Sequence, residues 1–229
     1  SQHFLRIWDR QASDRVDEFV AISQHVADRI KKYYRREAKI IYPPVSLAWG
    51  PCLPAGRLPQ LTNYYLIVSR LYPNKNIDLA IEAFAKLRLP LVIIGAGPEL
   101  KKLQATSYKL QAKNIKFLGF VPDEELPHYY QNCKAFLMPQ EEDFGITPIE
   151  AMSFGKPVLA LRKGGACETV IEGVTGEFFD DPISEGLADG VRRLNENYTN
   201  YDGEKIKQQA RKFSTKRFKN EILKLVYNS

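Results

Sequence analysis

Two glutamates, Glu142 and Glu150, lie eight positions apart in the run E-D-F-G-I-T-P-I-E, with Gly145 and Pro148 between them. A spaced pair of carboxylates can act as acid and base, as in glycoside hydrolysis. A glutamate in the first turn of a helix is equally a plain partner of the helix dipole. Spacing by itself does not choose between these. Arg70 and Lys75 form a second group, in S-R-L-Y-P-N-K-N. Arginine bridges phosphate oxygens with a planar fork and lysine adds a point charge, so two cations on one loop can hold a pyrophosphate without a metal. The plainer reading is two solvated loop charges. The third group is Gly95-Ala96-Gly97-Pro98. Its glycines let backbone pass close to a ligand, and Pro98 suits a first helical turn. It fails as a dinucleotide fingerprint, because G-x-G-x-x-G requires glycine where Leu100 stands.

Each group follows a short apolar run that reads as a strand. Runs at 64–68, 91–94, 115–118, 135–139, 157–160 and 176–179 alternate with helical patterns at 77–87, 98–112, 123–132, 148–154 and 167–172. This alternation predicts an α/β fold, a doubly wound parallel sheet with right-handed crossovers and helices on both faces. The loop groups then fall at the carboxyl ends of strands, where α/β sheets bind ligands. The helix after residue 142 is expected to open at Pro148, which puts Glu150 in its first turn and offers free N–H groups to a phosphate. Ahead of this series come a short helix at 3–15, a buried strand at 19–22 closed by Ser23 as N-cap, a helix at 24–35 and a strand at 39–42 stopped by Pro43-Pro44. Residues 45–62, broken by Gly50, Pro51, Pro54, Gly56 and Pro59, read as a linker. Residues 182–228 read as mainly helical.

The composition is that of a globular protein: 229 residues, 44% hydrophobic and 26% charged. No apolar run is long enough to span a bilayer as a helix. The start lacks a secretory pattern and an initiator methionine, and reads as a cut end. Cys52, Cys133 and Cys167 show no ligand or disulfide spacing and read as free thiols. The histidines are scattered; His25 with Asp28 and His128 with Glu124 read as helix-surface pairs, and no structural metal is expected. The net charge of +6 fits nucleic acid, an anionic membrane, anionic small molecules or an ordinary solvated surface. A nucleic-acid site would want aromatics interleaved in a basic stripe, and none is seen, so no nucleic-acid partner is expected.

Taken in order, S-R-L-x-P-x-K-N, G-A-G-P, F-L-G-F-V, E-D-F-G-I-T-P-I-E-A-M, G-K-P-V-L-A, G-G-x-x-E-T-V and G-x-T-G resemble the donor-binding half of the retaining GT-B glycosyltransferases of family 4, whose hallmark is E-x7-E. The resemblance runs over about residues 16–179. W-D-R, V-D-x-F-V-A-I-S and I-Y-P-P-V near the start are similar to a bacterial and archaeal subgroup of polysaccharide mannosyltransferases. The resemblance implies a Rossmann-like half of a GT-B fold. Residues 1–44 would be a remnant of the acceptor domain, 45–62 a linker, 63–212 the nucleotide-sugar domain and 213–229 a crossover helix.

It also implies roles. Arg70 and Lys75 would hold the donor diphosphate and stabilise the leaving nucleotide, Glu142 the sugar hydroxyls and Glu150 the ribose hydroxyls. Phe144, Gly145, Ile146 and Thr147 would offer main-chain contacts, Phe120 and Val121 would flank the base, and Gly95 and Gly97 would line the donor site. Gln140 stands where the family often has a small residue. No cofactor is implied beyond the donor substrate, with GDP-mannose as the expected nucleotide-sugar. The expected partners are that donor, a glycan or lipid-linked acceptor and a peripheral membrane contact, with the protein in the cytoplasm at the inner face. A UDP-hexose transferase of the same fold is the nearest alternative, and a non-catalytic nucleotide-binding module the next. The chain is expected to bind donor yet transfer sugar poorly or not at all alone.

Overall fold

The computed structural model describes residues 2–46 and 61–227. In chain order its elements are α1 (Gln2–Ser13), β1 (Phe19–Ala21), α2 (Gln24–Tyr34), β2 (Ala38–Ile40), β3 (Tyr64–Val68), α3 (Ile77–Leu87), β4 (Leu91–Ile94), α4 (Leu100–Lys109), β5 (Ile115–Gly119), α5 (Leu126–Asn132), β6 (Cys133–Met138), α6 (Ile146–Ser153), β7 (Val158–Leu161), α7 (Ala166–Thr169), β8 (Gly176–Phe179), α8 (Ser184–Glu196), α9 (Gly203–Arg211) and α10 (Thr215–Tyr227).

The central strands are apolar without alternation because both of their faces are covered. Tyr64 and Leu66 of β3 enter one core, with β6 residues Phe136 and Met138 and helices α5, α6 and α9. Tyr65 and Ile67 enter the other, with Ala135 and Leu137 and helices α3 and α8. Six parallel strands in the order β5-β4-β3-β6-β7-β8 make up this sheet. The doubly wound parallel fold expected from the sequence is what the chain adopts. From β3 it winds outward through β4 to β5, then returns to β6 and winds the other way. The switch point therefore lies between β3 and β6, and the loops leaving those strands diverge there to open a crevice.

A smaller parallel pair, β1 with β2, sits with α1 and α2 before the main sheet. Ser23 caps α2 as expected: its backbone is extended and its hydroxyl accepts from the Val26 N–H at 3.1 Å. The strand before it differs from expectation. It is buried on one face only: Ala21 is fully buried, while Val20 and Ile22 are each about two-fifths exposed. The next strand ends at Ile40 rather than at residue 42, because Tyr42 leaves the pair to stack on Phe144 and meet Phe213 edge to face.

Val45, placed in the linker from sequence, is instead fixed: its N–H donates to the Phe213 carbonyl at 2.9 Å and its side chain is buried. Residues 47–60 of the expected linker, with Cys52, lie outside the described residues, while Leu61 packs against the core. Among the described residues, no helix is long and apolar enough to cross a membrane.

Candidate functional site

The loop after β3 is short and tightly held. Pro73–Lys75 makes a single 3₁₀ turn, and Asn76 closes it in the left-handed region at φ 53°. The Asn76 amide then donates to the Pro139 carbonyl at 3.1 Å, tying this loop to the one after β6. The tie brings Lys75 Nζ to 2.6 Å from Glu142 Oε1. Gln140 Nε2 donates to that same oxygen at 2.9 Å. Two donors thus converge on one carboxylate oxygen, and among the described residues Glu142 Oε2 has no hydrogen-bond partner. Arg70 is exposed on the adjoining rim.

The Glu142 loop is carried from below by glycines. A Cβ on Gly165 would lie 2.4 Å from Phe144 Cα, and one on Gly164 would lie 2.2 Å from the Glu142 carbonyl oxygen. The Gly165 N–H donates to that carbonyl at 2.9 Å. Phe144 is buried against Tyr42 and Phe213, so it faces the trough through its backbone, not its ring.

Gly145, at φ 89°, turns the chain into α6 with no side-chain cap. The helix therefore opens at Ile146, two residues before the expected Pro148, and its first N–H groups are left for a ligand or water. Glu150 consequently falls in the second turn rather than the first.

Glu150 is reached from α5. The Tyr130 hydroxyl, fully buried, donates to its Oε2 at 2.7 Å. Burial holds the Glu150 carboxyl above the usual carboxylate range, the tyrosine hydrogen bond opposes this, and Asp123 nearby adds to it. Tyr130 is itself raised well above the ordinary phenol value, chiefly by burial and then by the adjacent carboxylate.

Two cavities join these groups. One, of about 480 Å³, is lined by Arg70, Lys75, Gln140, Glu142 and residues 143–147. The other, of about 410 Å³, is lined by Gly95, Ala96, Phe120, Val121, Asp123 and Glu150. Val68, Ser69, Arg70 and Thr147 line both, so together they form one trough running from Glu142 to Glu150 across the switch point.

All the predicted site residues except Gly97 line this trough. Gly97 instead lies where a Cβ would come within 2.4 Å of the Leu71 carbonyl oxygen, and a Cβ on Gly95 would overlap that of Ser69. These glycines admit neighbouring backbone rather than a ligand alone. Pro98 sits in the turn before α4, not in its first turn. His25 does not pair with Asp28, which the Gln24 amide occupies at 2.7 Å; its Nε2 faces Glu141 at 3.4 Å and Asp143 at 3.9 Å.

Sequence reasoning missed Tyr130 and the contact of α2 with this loop, where Arg29 pairs with Asp143 at 2.7 Å. It also missed Glu168, which accepts from the Gln24 and His25 N–H groups at 2.8 and 3.1 Å. The G-G-x-x-E pattern was the one local signal for the last of these.

The doubly wound parallel sheet with a charged trough at its switch point matches the Rossmann-like half of GT-B glycosyltransferases of known structure. Residues 55–213 match the family of glycosyl transferases group 1, and the chain belongs to that family. It is 26% identical over 214 residues to an uncharacterized glycosyltransferase of Methanocaldococcus jannaschii, covering 91% of this chain and 59% of that one. It is 37% identical over 141 residues to a GDP-mannose-dependent α-(1-6)-phosphatidylinositol monomannoside mannosyltransferase of Mycolicibacterium smegmatis, covering 56% and 37%. Among solved structures, Anabaena HepE in complex with UDP superposes with a TM-score of 0.87 at 25% identity, over 100% of this chain and 68% of that one. The chain thus spans between 37% and 59% of the length of these two curated relatives.

Proposed function

We propose that the protein is a retaining hexosyltransferase of family 4 and that this chain is its donor-binding half, taking a nucleotide-sugar with GDP-mannose as the donor. The observation that carries this is the continuous trough, with a pinned carboxylate and two cations at one end and a half-buried carboxylate at the other. The sugar lies at Glu142, where the unbonded Oε2 accepts its hydroxyls. The diphosphate lies over Arg70 and the open N-terminus of α6, whose N–H groups and cationic neighbours stabilise charge as the nucleotide leaves. Lys75 supports both, holding Glu142 while adding positive charge to the phosphate end. The ribose hydroxyls meet Glu150, and the base lies between Phe120 and Val121. The acceptor, a glycan or lipid-linked glycan, enters from a preceding half to which residues 1–44 contribute the end, at a membrane surface.

The GDP-mannose-dependent relatives support guanine and mannose. The likeness to HepE in complex with UDP favours a second reading, a UDP-hexose donor. Calorimetric titration with GDP, UDP and ADP separates them. GDP is expected to bind tightest, and Arg70→Ala to weaken it roughly tenfold through loss of a charge-assisted hydrogen bond. Equal affinities, or tighter UDP, overturn the choice of base. No binding of any of the three overturns the site.

A further inference from the structure

We infer that Gln140 reads the transferred sugar: its side-chain carbonyl accepts a hydrogen bond from a ring hydroxyl next to the one taken by Glu142. This makes it a specificity-determining residue of the trough. The inference rests on the nucleotide-sugar reading above and deepens it.

Gln140 is 5% exposed, yet it lines the Glu142 end of the trough. Charge fixes which way its amide points. At 2.9 Å from a carboxylate oxygen that already receives Lys75, only the NH₂ end is tolerable, since a carbonyl there would face an anion. The carbonyl oxygen is therefore the end left over, and it has no partner among the described residues. A buried acceptor without a donor is an unusual and costly arrangement.

Gln209 Oε1 and Arg217 Nε share that condition, but neither residue lines the trough. What sets Gln140 apart is its place. A diphosphate offers it nothing, because phosphate oxygens are themselves acceptors. A sugar hydroxyl is a donor. With Glu142 Oε2 also open, the sugar end presents two neighbouring acceptors, which match adjacent hydroxyls on a hexose ring. A ring lacking one of those hydroxyls leaves an acceptor buried and unmet, and that is how such a site rejects it.

Calorimetry on the chain tests this by comparing two affinities, for GDP and for GDP-mannose, in the wild type and in Gln140→Ala. The preference for the sugar-bearing ligand is expected to fall about five- to tenfold in the variant, the worth of one ordinary hydrogen bond. GDP-mannose analogues, each lacking one ring hydroxyl, identify the group that is read. One analogue should bind wild type and variant alike, with no further loss on combining the two changes. Additive losses for every analogue overturn the inference, as does an unchanged preference in Gln140→Ala. Equal weakening of GDP and GDP-mannose also overturns it, since Gln140 would then serve only the fold of the loop. If the wild type prefers UDP, the same comparison is run with UDP and UDP-glucose. A wild type that binds no nucleotide removes both readings; one that binds nucleotide while Gln140→Ala keeps its preference removes this one alone.

Discussion

Replacing Tyr130 with phenylalanine removes one hydroxyl and keeps the ring that stacks on Phe154 at 5.8 Å between centroids. The hydroxyl donates to Glu150 Oε2 at 2.7 Å inside a largely buried pocket. A hydrogen bond to a charged partner contributes about 1.5–3 kcal/mol. For a chain of this size that is roughly 3–12 °C in Tm. The loss should depend on pH.

Burial already raises the folded Glu150 above the ordinary value of 4.5. Between that value and its folded pKa the folded state holds more protons than the unfolded one, so stability falls as pH rises through this window. Below the window the carboxyl is neutral in both states and the burial of a charge costs nothing. Deleting the donor lifts the folded value further, so the deficit of Tyr130→Phe is full at about pH 8 and shrinks towards about pH 4. Thermal unfolding followed by circular dichroism at both pH values reads it directly. An equal deficit at the two, or none at the higher, would refute the claim that this hydroxyl sustains the half-buried anion of Glu150.

The remaining predictions concern the scaffold. Gly165→Ala forces a Cβ to within 2.5 Å of the Phe144 backbone, so the Glu142 loop must shift. Overpacking of this kind costs about 1–3 kcal/mol, and both Tm and nucleotide-sugar affinity are expected to drop. Gly173→Ala meets nothing within 4 Å but sits at φ 73°, and it should lower Tm while sparing affinity. Identical effects of the two substitutions on affinity would show that the Gly165 contact does not position the loop. For the thiols, a Cys52→Ser background isolates Cys167, which is exposed, and Cys133, which is buried with its pKa pushed up to about 12. An aromatic disulfide reagent should titrate one thiol in the native state and the second only on unfolding; rapid titration of both would contradict the burial of Cys133.

The winding of the fold was legible because strands covered on both faces must be apolar throughout, and helices between them must carry a stripe. Those requirements act over four to ten residues, within reach of a local pattern. The trough was legible through its loops, since cations, glycines and carboxylates recur where strands end. The start of α6 was misjudged for a physical reason. Proline favours a first helical position, but Gly145 at φ 89° turns the chain earlier, and Pro148 is tolerated at the third position because its missing N–H had no partner to lose. The partners of Glu150 and His25 come from α5 and from the loop after β6, and no spacing along the chain encodes them. Likewise the exposure of one face of β1 depends on what packs over it, which its own apolar residues do not state.

The strand order also bears on how the site comes into being. Tyr65 pairs with Leu91 on one side and with Ala135 on the other. The first pairing closes a short crossover, whereas the second must wait for three further elements, and closing the longer loop is slower. A chain folded only as far as β5 therefore owns Arg70, Lys75 and the loop of Phe120 and Val121, but lacks both Glu142 and Glu150. Both charges meet only when β6 zips onto β3. The complete trough thus depends on the longest-range strand pairing in this sheet, and a chain without that pairing holds only one side of it.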